Sequence, residues 1–361
     1  MKIRRIAINT GGGDAPGLNA VIRAVVLCAT NLGWEVYGIR KGYKGIIDGN
    51  GVIPLTRDMV HEITHMGGTI IGTTNKGNPF EFPVQTESGV KVTDISDEVV
   101  SRFRALGLDA LIAVGGDGSL RIAYNFYKKG IPVVGVPKTI DNDLAKTVVT
   151  FGFDTAVGVA TEAIDRLRST AEAHERVMVV EVMGRYAGWI ALNAGVSGAA
   201  HAVLIPEIPF DIDKVCRKVR ERDLQGRHYA IVVVAEGATP VGGEFTVQGA
   251  KEVGREIRLG GIGEKVAAEI QSRTGKECRT VVLGHLQRGG TPTTFDRLIA
   301  LRFGAAAVRL VKSKKFGHMV ALDPPKVKAI PMEQVLERNK TVPLDCDSVL
   351  TARELGICFG D

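Results

Sequence analysis

Runs of four to eight apolar residues recur along this chain, and most lead through a glycine-rich turn into a segment of helical spacing. IRRIAIN (3–9) is the first such run, GGGDAPG is the loop after it, and the alanine- and valine-rich stretch from Leu18 to Leu32 predicts a helix. VYGIR (36–40) is a second strand. Ser96 reads as an N-cap followed by Asp97 and Glu98, opening a helix that runs to Gly107. DALIAVGGDGS (109–119) reads as a buried strand ending in a glycine loop. A helix then closes at Lys128, Lys129 and Gly130, and IPVVGVP (131–137) is the next strand. Strands apolar at every position, alternating with helices, predict a parallel sheet covered on both faces.

A second block with the same rhythm starts near residue 151. A helix over about 154–173 leads it, and RVMVVEVM (176–183), AVLIPE (202–207), YAIVVVAEG (229–237) and CRTVVLGHLQRGG (278–290) supply strands. DIDKVCRKVRERDL (211–224) and FDRLIALRFGAAAVRLVKS (295–313) are amphipathic helices, whereas the glycine-rich segment 238–258 reads as a hairpin or surface excursion. The last fifty residues are less regular, with turn signals at DPPK and VPLDCD. A chain of 361 residues favours two domains over one. Two packed α/β blocks leave a cleft, and ligands in open α/β sheets bind at the carboxyl ends of strands.

Composition narrows the classes. Hydrophobic residues at 45% and charged residues at 24% fit a globular protein. A formal charge of +6 suits an anionic ligand, but without a lysine/arginine block or a basic–aromatic stripe it does not point to nucleic acid. The five cysteines (Cys28, Cys216, Cys278, Cys346, Cys358) lack metal spacing and read as free thiols. MKIRRIAINTGGG lacks a signal peptide's apolar core and cleavage site, and no window reaches the ~18 apolar residues of a membrane span. The expectation is a cytoplasmic protein.

Four strand-end loops carry the candidate chemistry. In TGGGDAPG (10–17), successive glycines let backbone N–H groups approach a phosphate at a helix N-terminus, though such turns also arise for steric reasons alone. The loop matches neither the P-loop nor the dinucleotide pattern. In GGDGS (115–119), a carboxylate beside a phosphate cradle calls for a cation, and Asp117 with magnesium answers it; Asp117 can equally cap a helix starting at Gly118. VPKTIDNDLA (136–145) reads as a polar turn when taken alone. Beside the other loops, Asp141 or Asp143 can take a proton from an attacking hydroxyl, while Lys138 and Thr139 offset charge on a transferred group. EVMGRYAGW (181–189) and GHLQRGG (284–290) place Arg185 and Arg288 just beyond strands, with His285 nearby and Arg176 and Arg279 at strand starts. Each arginine alone suits a surface ion pair; the set suits a second anionic group.

In this order and spacing, TGGGDAPG, GGDGS, PKTIDND, EAIDRLRSTAEAHERVMVVEVMGR and VLGHLQRGG closely resemble the 6-phosphofructokinases, over residues 3–310. The resemblance implies two doubly wound parallel-sheet (Rossmann-like) domains with the active site between them. Residues 1–150, completed by about 288–325, would hold the phosphoryl donor and magnesium; 151–287 would hold fructose 6-phosphate, and 326–361 would be a tail. It further implies transfer of a phosphoryl group to the C1 hydroxyl of fructose 6-phosphate, with Asp141 as base, Asp143 in support, Thr139 on the transferring group and Asp117 on Mg2+. Gly13, Tyr43, Gly116, Gly118 and Ser119 would line the donor site. Met183, Gly184, Arg185 and Glu236 would hold the sugar. Arg176, Arg279, His285 and Arg288 would hold its 6-phosphate, with Arg176 and Arg279 reaching a neighbouring subunit's site in a homo-oligomer, a dimer or tetramer. No membrane or nucleic-acid partner is implied.

Three departures bear on the donor and on regulation. Gly118 is the residue of ATP-type members, because an aspartate there would repel the rest of the nucleotide, whereas Lys138 is typical of pyrophosphate-type members. The combination favours ATP and keeps pyrophosphate, with a reversible reaction, as the alternative. In GTTNKGNPF (72–80), Asn75 and Lys76 stand where an arginine is common, so Lys76 is the candidate to reach in. Arg23, Arg57 and Arg168 match basic effector positions, but Leu27 and His201 replace an arginine and a metal-binding glutamate. A non-catalytic regulatory subunit would be expected to lose the acids that this chain keeps. Lipid and NAD kinases share a GGDG loop but not TIDND or GHLQRGG.

Overall fold

The computed structural model describes residues 2–87, 89–247 and 259–361. Its strands are β1 (Arg5–Thr10), β2 (Glu35–Ile39), β3 (Val52–Pro54), β4 (Phe82–Thr86), β5 (Gly89–Thr93), β6 (Ala110–Gly115) and β7 (Val133–Pro137). They continue with β8 (Val177–Val182), β9 (Ala202–Leu204), β10 (Ala230–Ala235), β11 (Cys278–Val282), β12 (His318–Asp323) and β13 (Lys326–Pro331). The helices are α1 (Leu18–Asn31), α2 (Lys44–Ile47), α3 (Ser96–Ala105), α4 (Asp117–Lys128), α5 (Phe153–Ala173) and α6 (Trp189–Ser197). After them come α7 (Ile212–Leu224), α8 (Ile262–Thr274), α9 (Thr294–Lys312), α10 (Met332–Leu336) and α11 (Asp347–Glu354).

Seven strands form one sheet in the order β13-β12-β7-β6-β1-β2-β3, parallel except for its two edge strands. A second, wholly parallel sheet runs β11-β8-β10-β9, and β4 and β5 make a separate hairpin. Side-chain alternation assigns each sheet two cores. Ile6, Ile8, Ile112 and Val134 face α1 and α9, while Ala7, Leu111, Ala113 and Val133 face α3 and α4. In the second sheet, Val180 and Val233 face α5 and α6, while Val179 and Val232 face α7 and α8. Burial on both faces is why β6 and β10 are apolar from end to end and β8 is apolar except for Glu181, whose carboxylate accepts the Gly261 and Gly263 amides. Strand order reverses between β1 and β6, so the loops after these strands border one crevice, where doubly wound sheets bind ligands.

Two sequence expectations change. Ser96 is the first helical residue rather than the cap: Asp94 Oδ1 accepts the Ser96 amide at 2.8 Å, so the turn that starts α3 begins earlier. Residues 326–361 are not a separate tail. β13 is an edge strand of the large sheet, α10 buries Met332, Val335 and Leu336 beside α4, and Val342, Val349, Ala352, Ile357 and Phe359 join the core around α5 and α6. These apolar positions fall in elements of five to eight residues or, for Val342, Ile357 and Phe359, outside any element, so no period stands out. Of the expected excursion at 238–258, residues 248–258 lie outside the described residues; Val247 bridges Leu259 antiparallel.

Candidate active site

The loop between β1 and α1 is held from three sides. Gly11 N–H donates to Val114 O (2.9 Å), Gly12 N–H to Thr74 O (3.1 Å), and Thr73 Oγ1 to Gly12 O (2.6 Å). Gly12 has φ 78° and Gly17 φ 110°, conformations that favour glycine. At Gly13 the constraint is space: a β-carbon would lie 2.7 Å from Arg288 Nη1. The first turn of α1 carries no acid, so its dipole favours an anion over this loop.

The loop after β6 stacks against the first. Ser119 sits so close that a β-carbon on Gly11 would meet its Oγ at 2.7 Å and one on Gly115 its Cβ at 2.3 Å. A β-carbon on Gly116 would lie 3.4 Å from Lys138 O, so this turn packs on the acidic loop. Asp117 opens α4 without capping it: the cap position is Gly116, and the carboxylate pairs with Arg121 at 3.1 Å while keeping about a third of its surface exposed. Gly118 is exposed, and a β-carbon there would meet nothing within 4 Å. Tyr43 differs from expectation. Its ring is buried 5.1 Å from Phe126, and burial raises its phenol pKa, so it packs into the core rather than presenting an open face. Asn75 and Lys76 follow Thr74 directly; Lys76 N–H bonds Thr74 Oγ1 at 3.0 Å, and both side chains are exposed.

PKTIDND follows β7. Lys138 is buried, and its ammonium donates to Gly13 O. Burial, then Arg288, pushes its pKa down to about 7, against the pull of Asp14, Asp141 and Asp143. Thr139 Oγ1 accepts the Asp141 amide at 3.1 Å, closing an ST turn that presents Asp141. Asn142 adopts φ 52°. Burial first, then the charges of Asp141 and Asp117, raises the pKa of Asp143, whose buried Oδ1 accepts no hydrogen bond among the described residues. A carboxyl raised by burial and by neighbouring acids, with a buried oxygen unmatched, fits a divalent cation. No group of three or more His, Cys, Asp or Glu among the described residues makes a metal cage. One or two carboxylates beside a phosphate cradle are the donors that magnesium can take, completing its shell with phosphate and water.

The other wall comes from the second sheet. Met183 N–H donates to the fully buried Gln287 Oε1 (3.3 Å), tying the loop after β8 to the turn after β11. Gly184 has φ 137°, and the Gly237 amide donates to its carbonyl at 3.2 Å. Arg185 lies over the Tyr186 ring at 4.9 Å. Burial, then Asp141 and Glu181, raises Glu236 to about 7, with Arg288 opposing. Arg288 crosses between the sheets and donates to Asp14 O at 3.1 Å, and the exposed His285 stands on the same short 3-10 turn. Arg176 and Arg279 do not join this constellation. Both pair with Glu277 where β8 and β11 begin, roughly 20 Å from the loops at the opposite strand ends.

The effector-like residues are also dispersed. Arg168 and His201 line a cavity of about 750 Å³ with Lys218, Arg222 and Arg227, whereas Arg23 bonds His61 O (3.3 Å) and Arg57 bonds Asn31 Oδ1 (2.7 Å) elsewhere. Leu27 packs against the core of the large sheet. His201 Nδ1 accepts the Ile231 amide at 2.8 Å, and burial, then Arg222 and Arg168, pushes its pKa down to about 3. With Nδ1 accepting that amide, the neutral ring carries its proton on Nε2 and lacks both the charge and the free lone pairs of a glutamate.

Gln287 and Lys340 escaped the sequence reading. Gln287 lies inside a quoted motif, but an amide has no titration or metal signature. Lys340 sits in the irregular C-terminal segment and donates to Asn142 Oδ1 at 2.8 Å.

With this geometry in view, the Phosphofructokinase family model matches residues 5–311. An ATP-dependent 6-phosphofructokinase 2 of Clostridium perfringens is 49% identical, with 99% of each chain covered. A pyrophosphate–fructose 6-phosphate 1-phosphotransferase of Amycolatopsis methanolica is 51% identical over 94% of this chain and 96% of its own. The crystal structure of Pichia pastoris phosphofructokinase in the T-state superposes with TM-score 0.80 at 30% identity, covering 93% of this chain and 36% of the longer yeast chain. A glycine loop, an acidic loop and an arginine crossing between two doubly wound sheets thus coincide with a match over most of the chain: it belongs to the phosphofructokinase family.

Proposed function

We propose that this chain transfers a phosphoryl group from magnesium-bound ATP to the C1 hydroxyl of fructose 6-phosphate, giving fructose 1,6-bisphosphate and ADP as a glycolytic kinase. One observation carries the reading. Lys138 on the acidic loop and Arg288 from the second sheet both donate to backbone carbonyls of the same glycine loop, at Gly13 and Asp14. The glycine loop thus joins the loop that bears Asp141 to an arginine of the second sheet. Asp141 takes the C1 proton as the oxygen attacks the terminal phosphorus and the bond to ADP breaks. Lys138 and Thr139 offset charge on the transferring group, and Asp143 supports the base from the same loop. Asp117 is the residue to hold magnesium, which would supply charge neutralisation on the donor phosphates. The first sheet's block serves the donor and the second's the sugar, through Met183, Gly184, Arg185, Glu236, His285 and Arg288. Arg176 and Arg279, remote from their own site, serve a neighbouring subunit in a homo-oligomer. Five free thiols and the lack of a membrane-crossing helix among the described residues support a cytoplasmic setting.

ATP is favoured over pyrophosphate because the space beside Gly118 is open. Pyrophosphate is the second reading, favoured by Lys138, whose charge lies under the donor loop. Relatives near 50% identity carry both names. The base assignment is tested with Asp141→Asn. It is expected to lose ~10²–10⁴-fold in kcat at little-changed KM; near-normal turnover would overturn it.

A further inference from the structure

The C-terminal segment places a lysine on the catalytic loop from outside. Lys340 Nζ donates to three oxygens of that loop: Asn142 Oδ1 (2.8 Å), Thr147 O (3.0 Å) and Val148 O (3.0 Å). These match the three donors of an ammonium group. The Lys340 amide donates to Asp143 O at 2.7 Å, and Asn339 bridges Leu144 antiparallel. Asn142 itself needs holding, because it sits at φ 52° between the two acids and its Oδ1 also takes the Thr150 amide at 3.2 Å.

The same segment is anchored to the other half of the molecule. Lys340 O accepts Trp189 Nε1–H at 3.0 Å, at the start of α6. Val342 N–H donates to Glu207 Oε1 at 2.7 Å, and Glu207 also accepts the Gly188 amide at 3.0 Å. Residues 339–342 thus tie the loop bearing Asp141 and Asp143 to the block that bears Arg185 and Glu236.

We propose that Lys340 is a positioning residue for phosphoryl transfer: it holds the Asp141–Asp143 loop in register with the sugar-side loops without touching substrate. This rests on the proposed function of Asp141. The ammonium bonds three neutral oxygens and also lies in the field of Asp143, so its contribution is to fix this loop rather than to neutralise the transferred group. A displacement of about 1 Å in reacting groups can cost ~10²-fold in rate.

The test is Lys340→Met, which keeps the stem and removes the three bonds, assayed with magnesium, ATP and fructose 6-phosphate. We expect kcat per folded molecule to fall 30- to 100-fold while KM for both substrates stays within about 3-fold. Lys340→Gln, which keeps a shorter donor, should lie between the two, and it carries the test if the methionine variant does not fold. Unchanged kcat per folded molecule, or a loss confined to KM, would overturn the proposal. Failure of the wild-type chain to phosphorylate fructose 6-phosphate would instead strike the proposed function itself.

Discussion

Gly118→Asp separates access from folding. Gly118 lies in the first turn of α4, exposed, with nothing within 4 Å of a β-carbon, so the side chain enters without a clash. An acid in a helix's first turn is favourable by about 0.3–1 kcal/mol, so the variant should be as stable as the parent. The cost falls on the donor. A carboxylate about 5 Å from the α-phosphate of ATP, the group that pyrophosphate lacks, is repelled by about 3 kcal/mol at an effective dielectric near 20. Exposure and salt reduce this to about 1.5–2 kcal/mol, or 10- to 30-fold in kcat/KM for ATP. Steady-state kinetics with ATP and with pyrophosphate, alongside a thermal melt, provide the assay. The expected outcome is an unchanged melt, a selective loss with ATP, and a pyrophosphate rate within about 3-fold of the parent. An equal loss with both donors, or none with ATP, would refute the role of the open space beside Gly118.

Two further outcomes follow from the packing. Gly13→Ala pushes a methyl toward Arg288 Nη1, now bonded to Asp14 O; losing that charged contact, worth about 1.5–3 kcal/mol, should raise KM for fructose 6-phosphate ~10-fold or more, and an unchanged KM would count against Arg288 as a phosphate ligand. Burial raises the pKa of Asp296 to about 6 although Oδ2 accepts Thr155 N–H (2.8 Å) and Oγ1–H (2.6 Å). A raised carboxyl pKa contributes stability that is present below the unfolded value near 3.8 and is lost as pH rises through about 6. Relative to Asp296→Asn, the parent should therefore lose about 2 kcal/mol between pH 4.5 and 7.5 in urea melts, and a pH-independent difference would contradict the shift.

How far the sequence speaks depends on period and on partner. β6 and β10 were legible because burial on both faces leaves unbroken apolar runs, β8 because only Glu181 interrupts one, and α9 because nineteen residues hold one helical stripe. The hairpin of β4 and β5 was missed: FPVQT and GVKVT alternate weakly and are largely exposed, leaving no apolar face to read. At the site, glycines, acids and arginines announce themselves by type, so Gly13, Asp117, Asp141, Asp143 and Arg288 could be named from their loops. Tyr43 was named too, but only packing reveals that its ring faces Phe126. Lys340 was illegible for a different reason. Its partners are backbone carbonyls and one amide nearly two hundred positions away, contacts that leave no local pattern.

The most direct test of the account is phosphorylation of fructose 6-phosphate by the purified chain with magnesium, supplying ATP and pyrophosphate separately. The account predicts turnover with both the sugar phosphate and ATP required, and kcat/KM for ATP at least ~10-fold above that for pyrophosphate, as the repulsion-free space at Gly118 implies. Faster turnover with pyrophosphate would mean that the Lys138 charge outweighs access at Gly118, and no turnover with either donor would contradict the phosphoryl-transfer reading of this site.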